Sequence, residues 1–136
     1  MQIDYYLIKR LLNVMQSKES HFISISKLLE EAKPEFEEMQ KNDYINQVYG
    51  HLQLLKDEEV IKEVLGTNLG ISYTANGDMR ISGCYIRMTS KGYDFLKTLN
   101  KNSVLEKLKN FTLNEALNIS NAVLANMVSN CIGDFT

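Results

Sequence analysis

Residues 42–56 read NDYINQVYGHLQLLK and contain the most regular apolar spacing in the chain. An apolar side chain recurs at intervals of three and four, the repeat of a helix that buries one side: Ile45, Val48, Leu52 and Leu55. Asn42 is expected to cap this helix, since a side-chain oxygen at that position accepts a hydrogen bond from a free backbone N–H. Its remaining sides carry amide groups and a glycine, so the pattern predicts a helix with an open polar side.

Two helices and a short strand are predicted before this stretch. Residues 3–17 carry two apolar stripes, which indicates a helix covered from two sides and therefore central to the fold. Residues 21–25 (HFISI) are short and β-branched, as is typical of a strand. Ser26 is then expected to cap a helix over residues 27–32, which Pro34 ends.

After the third helix the apolar period changes from 3.6 to 2. Residues 60–65 and 83–88 predict two strands, and Asn76-Gly77-Asp78 between them predicts a tight hairpin turn. Thr89 is expected to cap a fourth helix. Two more helices are predicted over residues 104–110 and 113–132, and the second opens with the capping-box spacing of Thr112 and Glu115.

The resulting order is helix, short strand, helix, turn, longer helix and hairpin, which is the element order of a winged helix. The predicted fold class is mainly α with a small antiparallel β wing, a winged helix-turn-helix with additional C-terminal helices. Residues 1–100 are assigned to the winged-helix domain. Residues 101–136 are assigned to a helical extension that packs on this domain or mediates dimerisation.

Two blocks of the sequence carry a resemblance to a known family. Residues 48–57 read VYGHLQLLKD and residues 87–96 read RMTSKGYDFL. Together with Asp4 and the LIKRLL run at 7–12, they resemble a phage- and prophage-associated winged-helix family of unknown function. The resemblance covers nearly the whole chain and implies the fold, but it implies no catalytic residue.

Composition excludes several classes of protein. The chain has 136 residues, 44% of them hydrophobic and 24% charged, with 7 glycines and 1 proline, as expected of one globular core. No apolar run reaches the length of a membrane-spanning helix, and no signal peptide opens the sequence, so a cytoplasmic protein without a membrane partner is predicted. Cys84 and Cys131 are expected to be reduced and structural.

Catalysis is not expected. His21 and His51 are far apart in sequence, and no serine or cysteine stands in a nucleophile motif. No glycine-rich phosphate loop occurs, and the two histidines and two cysteines lack the spacing of zinc ligands. The sequence therefore predicts a non-enzymatic protein with no cofactor and no metal.

Double-stranded DNA is the first partner that the predicted fold suggests, because the third helix of a winged helix lies in the major groove. The net charge of −2 argues against strong phosphate binding, although the region from 87 to 109 is locally basic. Amides can pair with adenine edges and cations with phosphates. The hairpin tip at 76–80 is also a candidate DNA-binding segment. The candidate DNA-binding residues are Asn42, Asn46, Gln47, Gly50, Gln53, Lys56, Arg80, Arg87, Lys91 and Lys97.

A protein-interaction module is the alternative, for example a phage-encoded inhibitor of a host enzyme or defence complex. The last predicted helix has a wide apolar face and no charge from Ala116 to Gly133. It would pair with its copy in a homodimer, dock on a host protein, or cover the core of its own domain. The acidic segment from Glu30 to Glu38 could imitate the phosphates of a nucleic acid. The candidate partner-binding residues are Glu30, Glu31, Glu35, Glu37, Glu38, Leu117, Leu124 and Val128.

Overall fold

The computed structural model of the protein describes residues 2–18, 22–33, 41–64, 71–73, 75, 79–81, 84–101 and 104–120. Within them the chain is mainly helical with a small antiparallel sheet, as the sequence predicted. Its elements are α1 (Tyr5–Gln16), β1 (Ile23–Ser24), α2 (Ile25–Ala32), α3 (Lys41–Asp57), β2 (Ile61–Val64), β3 (Ile71–Tyr73), β4 (Met79–Ile81), β5 (Tyr85–Met88), α4 (Ser90–Leu99) and α5 (Val104–Leu108). Residues 113–120 are also helical and are called α6.

Helix α1 lies at the centre of the fold. Asp4 caps it, and its carboxylate accepts hydrogen bonds from the backbone N–H groups of Tyr6 at 3.0 Å and Leu7 at 3.1 Å. Both apolar stripes of the helix are buried, and it contacts α2, α4, α5 and β5. The prediction of a central helix covered from two sides is confirmed.

The junction between β1 and α2 differs from the prediction. Ser24, not Ser26, is the N-cap of α2: its backbone is extended and its hydroxyl accepts a hydrogen bond from the N–H of Lys27 at 3.2 Å. The helix begins directly after the strand because Ile25 points into the core and is only 2% exposed. Ser24 and Ser26 are both residues that can cap a helix, so the local pattern was ambiguous. Because Ile25 is buried, the helix begins at Ile25 and Ser24 is its cap.

Helix α3 buries the predicted ridge of Ile45, Val48, Leu52 and Leu55. It begins at Lys41, so Asn42 lies inside the helix and not before it. At its other end the N–H of Val60 donates to the carbonyl of Leu55 at 2.8 Å, and the N–H of Glu59 donates to that of Lys56 at 3.0 Å. This is the Schellman pattern, and Glu59 has the positive φ of 60° that the pattern requires.

The three-stranded sheet has the order β1-β5-β2, with both neighbours antiparallel to β5. Side chains alternate along β5: Ile86 and Met88 point into the core, whereas Tyr85 and Arg87 are exposed. Strands β3 and β4 form a separate antiparallel pair that follows β2 in the chain and precedes β5. The predicted turn at 76–78 lies outside the described residues.

The connection between β5 and α4 is hydrogen-bonded to the residues at the end of α3. Thr89 caps α4 as predicted, because its hydroxyl oxygen accepts a hydrogen bond from the N–H of Gly92 at 3.1 Å. The same hydroxyl donates to the carbonyl of Glu59 at 2.6 Å. A Cβ atom on Gly92 would lie 2.4 Å from the carbonyl oxygen of Val60, so only glycine fits this close approach.

Residues 104–120 pack against the preceding helices. Thr112 and Glu115 form the predicted capping box: the N–H of Glu115 donates to the Thr112 hydroxyl at 3.2 Å, and the N–H of Thr112 donates to the carboxylate at 3.4 Å. Ser120 donates a hydrogen bond to Thr98 at 2.7 Å, with both hydroxyls buried. Leu113, Ala116 and Leu117 complete this contact in the core.

In the described part of the chain, none of the helices has the length and apolar character needed to span a bilayer.

Candidate functional site

The side of α3 opposite its buried ridge is partly exposed. Asn46 is exposed, and Gln47, Gly50 and Gln53 are half-buried along the same side. The buried ridge fixes the rotation of the helix, which is why these amide groups point outward. The structure thus brings four of the predicted residues together on one helix surface, here called the amide side of α3. Asn42 belongs to the same helix, but its side chain lies outside the described set.

The amide side of α3 is acidic. Asp43 and Asp57 are exposed at its two ends. Lys56 was predicted to contact phosphate. Its Nζ atom lies 2.5 Å from Oε1 of Glu63 on β2, and this ion pair raises the pKa of the lysine. The charge of Lys56 is therefore shared with Glu63, and a phosphate would have to compete for it.

The remaining predicted cations are spread over three other elements. Arg80 lies in β4, opposite Ser72 of β3. Arg87 is exposed on β5, and Lys91 and Lys97 are exposed on α4. The structure does not place these residues on the amide side of α3. Residues 76–78 of the predicted hairpin tip lie outside the described part of the chain.

The outer face of the three-stranded sheet carries residues that the sequence reasoning did not group. Lys62 of β2 pairs with Arg87 of β5, so both cations stand on the exposed side of the sheet. Tyr85 stands two residues along β5, and Phe22 contacts its ring edge to face with centroids 5.4 Å apart. Phe22, Lys62, Tyr85 and Arg87 are called the aromatic-basic face below.

A groove continues from the aromatic-basic face along β1 and towards the end of α1. It is lined by Phe22 and Tyr85 and by Ser17, Lys18, Ser24 and Lys27. Lys18 is paired with Glu31 at 2.5 Å, whereas Lys27 is exposed. The alternation of residues 85–88 signalled that Tyr85 and Arg87 share a face, but no local pattern pointed to Phe22.

His51 is fully buried, although its imidazole ring is polar. Its Nε2 atom accepts a hydrogen bond from the backbone N–H of Asp4 at 2.8 Å. Its Nδ1 atom lies 2.7 Å from the carbonyl oxygen of Gln47 and donates to it in the matching tautomer. Both ring nitrogens are used within the fold, so His51 joins α3 to the start of α1.

Two tyrosines near the start of α1 also hold the C-terminal helices. Tyr5 donates to the carbonyl of Phe111 at 2.7 Å, and burial, with the nearby Glu115 carboxylate, raises the pKa of Tyr5 to about 12. Tyr6 donates to Glu106 at 2.8 Å, and this hydrogen bond raises the pKa of the exposed Tyr6 hydroxyl. These contacts anchor α5 and the turn after it.

The predicted partner-binding residues fall into three groups. Glu30 and Glu31 are exposed on α2, and Glu31 pairs with Lys18. Leu117 is only 4% exposed because it packs in the core of its own chain, as expected from the alternative in which the last predicted helix covers the core of its own domain. The others lie outside the described residues: Glu35, Glu37, Glu38, Leu124 and Val128.

Among the residues that the structure describes, no group of three His, Cys, Asp or Glu side chains is placed to hold a metal ion. Cys84 is buried, and its thiol lies 3.8 Å from the carbonyl oxygen of Tyr85.

Comparison with protein-family models, with curated proteins and with solved structures finds no match for this chain.

Proposed function

We propose that this chain is a non-enzymatic regulatory protein of phage or prophage type, with a winged-helix domain that binds double-stranded DNA. The observation that carries the proposal is the open amide side of α3 on a helix whose opposite side is fixed in the core. The order of elements supports it, because three helices and a small antiparallel sheet with the order β1-β5-β2 are the parts from which a winged helix is built. The phage assignment rests on the resemblance of residues 48–57 and 87–96.

Helix α3 has the chemistry to read bases. An asparagine or glutamine can form two hydrogen bonds with an adenine edge in the major groove. Asn46 and Gln53 lie seven residues apart, which is about two turns, and Gly50 between them leaves room for close approach. The proposed contact is therefore directed at base edges along one side of the helix.

Electrostatics sets the strength of this contact. Asp43 and Asp57 repel phosphates at the ends of α3, and Lys56 is already paired with Glu63. Each phosphate that a protein neutralises steepens the salt dependence of binding. We therefore expect micromolar or weaker affinity for random duplex and a shallow salt dependence, with stronger binding to an adenine-rich site.

Fluorescence anisotropy with labelled duplexes tests the proposal. Random and adenine-rich duplexes are titrated across a salt series with wild type and with the double variant Asn46→Ala, Gln53→Ala. The variant should lose at least tenfold in affinity for the preferred duplex, since each paired amide contributes about 1 to 3 kcal/mol. The matched control is Gln16→Ala, Asn110→Ala, which removes one exposed glutamine and one exposed asparagine elsewhere.

Equal duplex binding by the control and by wild type, with a loss only in the α3 variant, supports the proposal. No retention of any duplex at low salt contradicts it. That outcome would favour the protein-interaction alternative, for which the exposed Glu30 and Glu31 are the described candidates.

A further inference from the structure

The outer sheet surface offers a combination of groups that the proposed duplex contact does not use. Phe22 is 44% exposed and Tyr85 is 38% exposed, although both are large aromatic side chains. The two rings meet at an interplanar angle of 89°, so the edge of one ring is directed at the face of the other. This geometry leaves ring surface on the pair that nothing in the described part of the chain covers.

Positive charge accompanies the rings. Lys62 and Arg87 are exposed cross-strand partners, which places their side chains side by side. Lys27 adds a third cation in the adjoining groove. No Asp or Glu is among the described residues that line this face and groove, although Glu31 of α2 reaches the groove residue Lys18 at 2.5 Å. None of Lys27, Lys62 and Arg87 forms an ion pair with a described residue. The surface is therefore locally basic on a chain whose net charge is −2.

We propose that the aromatic-basic face binds single-stranded DNA. Exposed rings beside cations suit an unpaired strand, because a free base can stack on a ring while its phosphate meets a lysine or arginine. A duplex offers no free base face for such a ring, because its bases are already stacked on one another. The face thus selects a strand whose bases are exposed.

The choice of DNA over RNA rests on the proposed duplex-binding function. The duplex site on α3 and the strand site on the sheet use different residues. Each can therefore be removed without the other.

The test measures binding of a labelled oligothymidylate of about 12 nucleotides, which has no duplex structure of its own. The variant Phe22→Val, Tyr85→Val removes both rings and keeps β-branched residues that suit a strand. Binding should weaken roughly fivefold to hundredfold, the range for loss of one stacked base. Tyr85→Phe retains the ring and should bind like wild type.

A second variant tests the cations separately. Lys62→Gln, Arg87→Gln should lower the slope of log Kd against log salt by roughly 1.4, since two phosphate contacts are lost. The matched control is Arg10→Gln, Lys107→Gln, which changes the net charge equally on exposed helix positions and should leave binding unchanged. Circular dichroism shows whether each variant remains folded.

Four outcomes would overturn the proposal. They are no binding of oligothymidylate by wild type at low salt, equal binding by the valine double variant, tighter binding of the matching RNA by wild type or of the matching duplex by Asn46→Ala, Gln53→Ala, and equal competition by polyglutamate. The last would assign the face to an acidic protein. Asn46→Ala, Gln53→Ala should bind oligothymidylate normally, so failure of the α3 proposal and failure of this one give different results.

Discussion

The backbone N–H of Asp4 donates a hydrogen bond to Nε2 of His51 across 47 residues of sequence, at 2.8 Å. Asp4 is also the N-cap of α1, so one residue fixes the start of that helix and its contact with α3. The rotation of α3, and with it the direction of the amide side, depends on this contact and on the buried ridge.

His51→Ala should destabilise the protein by about 2 to 4 kcal/mol. The substitution leaves a cavity in the core and leaves the Asp4 N–H without its partner. Urea unfolding followed by circular dichroism measures the change. Gln53→Ala on the same helix should change stability by less than about 0.5 kcal/mol, and a similar loss in both variants would contradict the structural role of His51.

Gly92→Ala should cost about 2 kcal/mol or more in the free energy of unfolding. The new methyl group would meet the Val60 carbonyl oxygen at 2.4 Å and Met88 Cγ at 2.5 Å, and the backbone oxygen cannot move aside easily. Lys91→Ala is the control, because Lys91 is exposed on the same turn. Equal thermal midpoints for Gly92→Ala and wild type would show that α4 does not approach the end of α3 this closely.

Glu59→Gly should stabilise the protein by about 0.5 to 1 kcal/mol. Glu59 has a φ of 60°, which costs an ordinary residue about 1 to 2 kcal/mol, and the greater entropy of glycine in the unfolded chain offsets part of the gain. Glu58→Gly, one residue earlier and without a positive φ, should instead destabilise. Chemical denaturation measures the change in the free energy of unfolding for both variants, and changes of the same sign would refute the Schellman assignment.

Tyr5 should make stability fall with rising pH in the alkaline range. Its pKa is raised from 10.0 to about 12, so the unfolded chain loses this proton before the folded chain does. The contribution of Tyr5 is fully present below pH 10 and is lost as pH rises towards about 12. Tyr5→Phe should flatten this part of the stability curve relative to wild type, and identical slopes would contradict the assignment.

Much of the fold could be predicted because its signals are local. The ridge of α3, the Thr89 cap and the capping box of Thr112 and Glu115 each lie within a few residues of one another, and the structure has all three. Periodicity alone also placed Asn46 and Gln53 on the side of α3 away from the core.

The remaining features depend on contacts between distant parts of the chain. His51 is polar, and its hydrogen bonds with the distant Asp4 N–H and with the Gln47 carbonyl explain its burial. Phe22 joins the aromatic-basic face through the register of β1 on β5, which sets Ser24 opposite Tyr85. Lys56 forms an ion pair with Glu63, which lies on the strand that follows α3. None of these pairings leaves a periodic trace in the sequence.

The most direct test of the central claim is the map of backbone amide chemical shifts in NMR spectra when an adenine-rich duplex is added. Duplex binding by α3 predicts the largest chemical-shift changes at Asp43, Asn46, Gly50 and Gln53. The shifts of residues in the aromatic-basic face should not change until a single strand is added. Changes confined to other elements, or none on α3 at saturating duplex, would contradict duplex binding by α3.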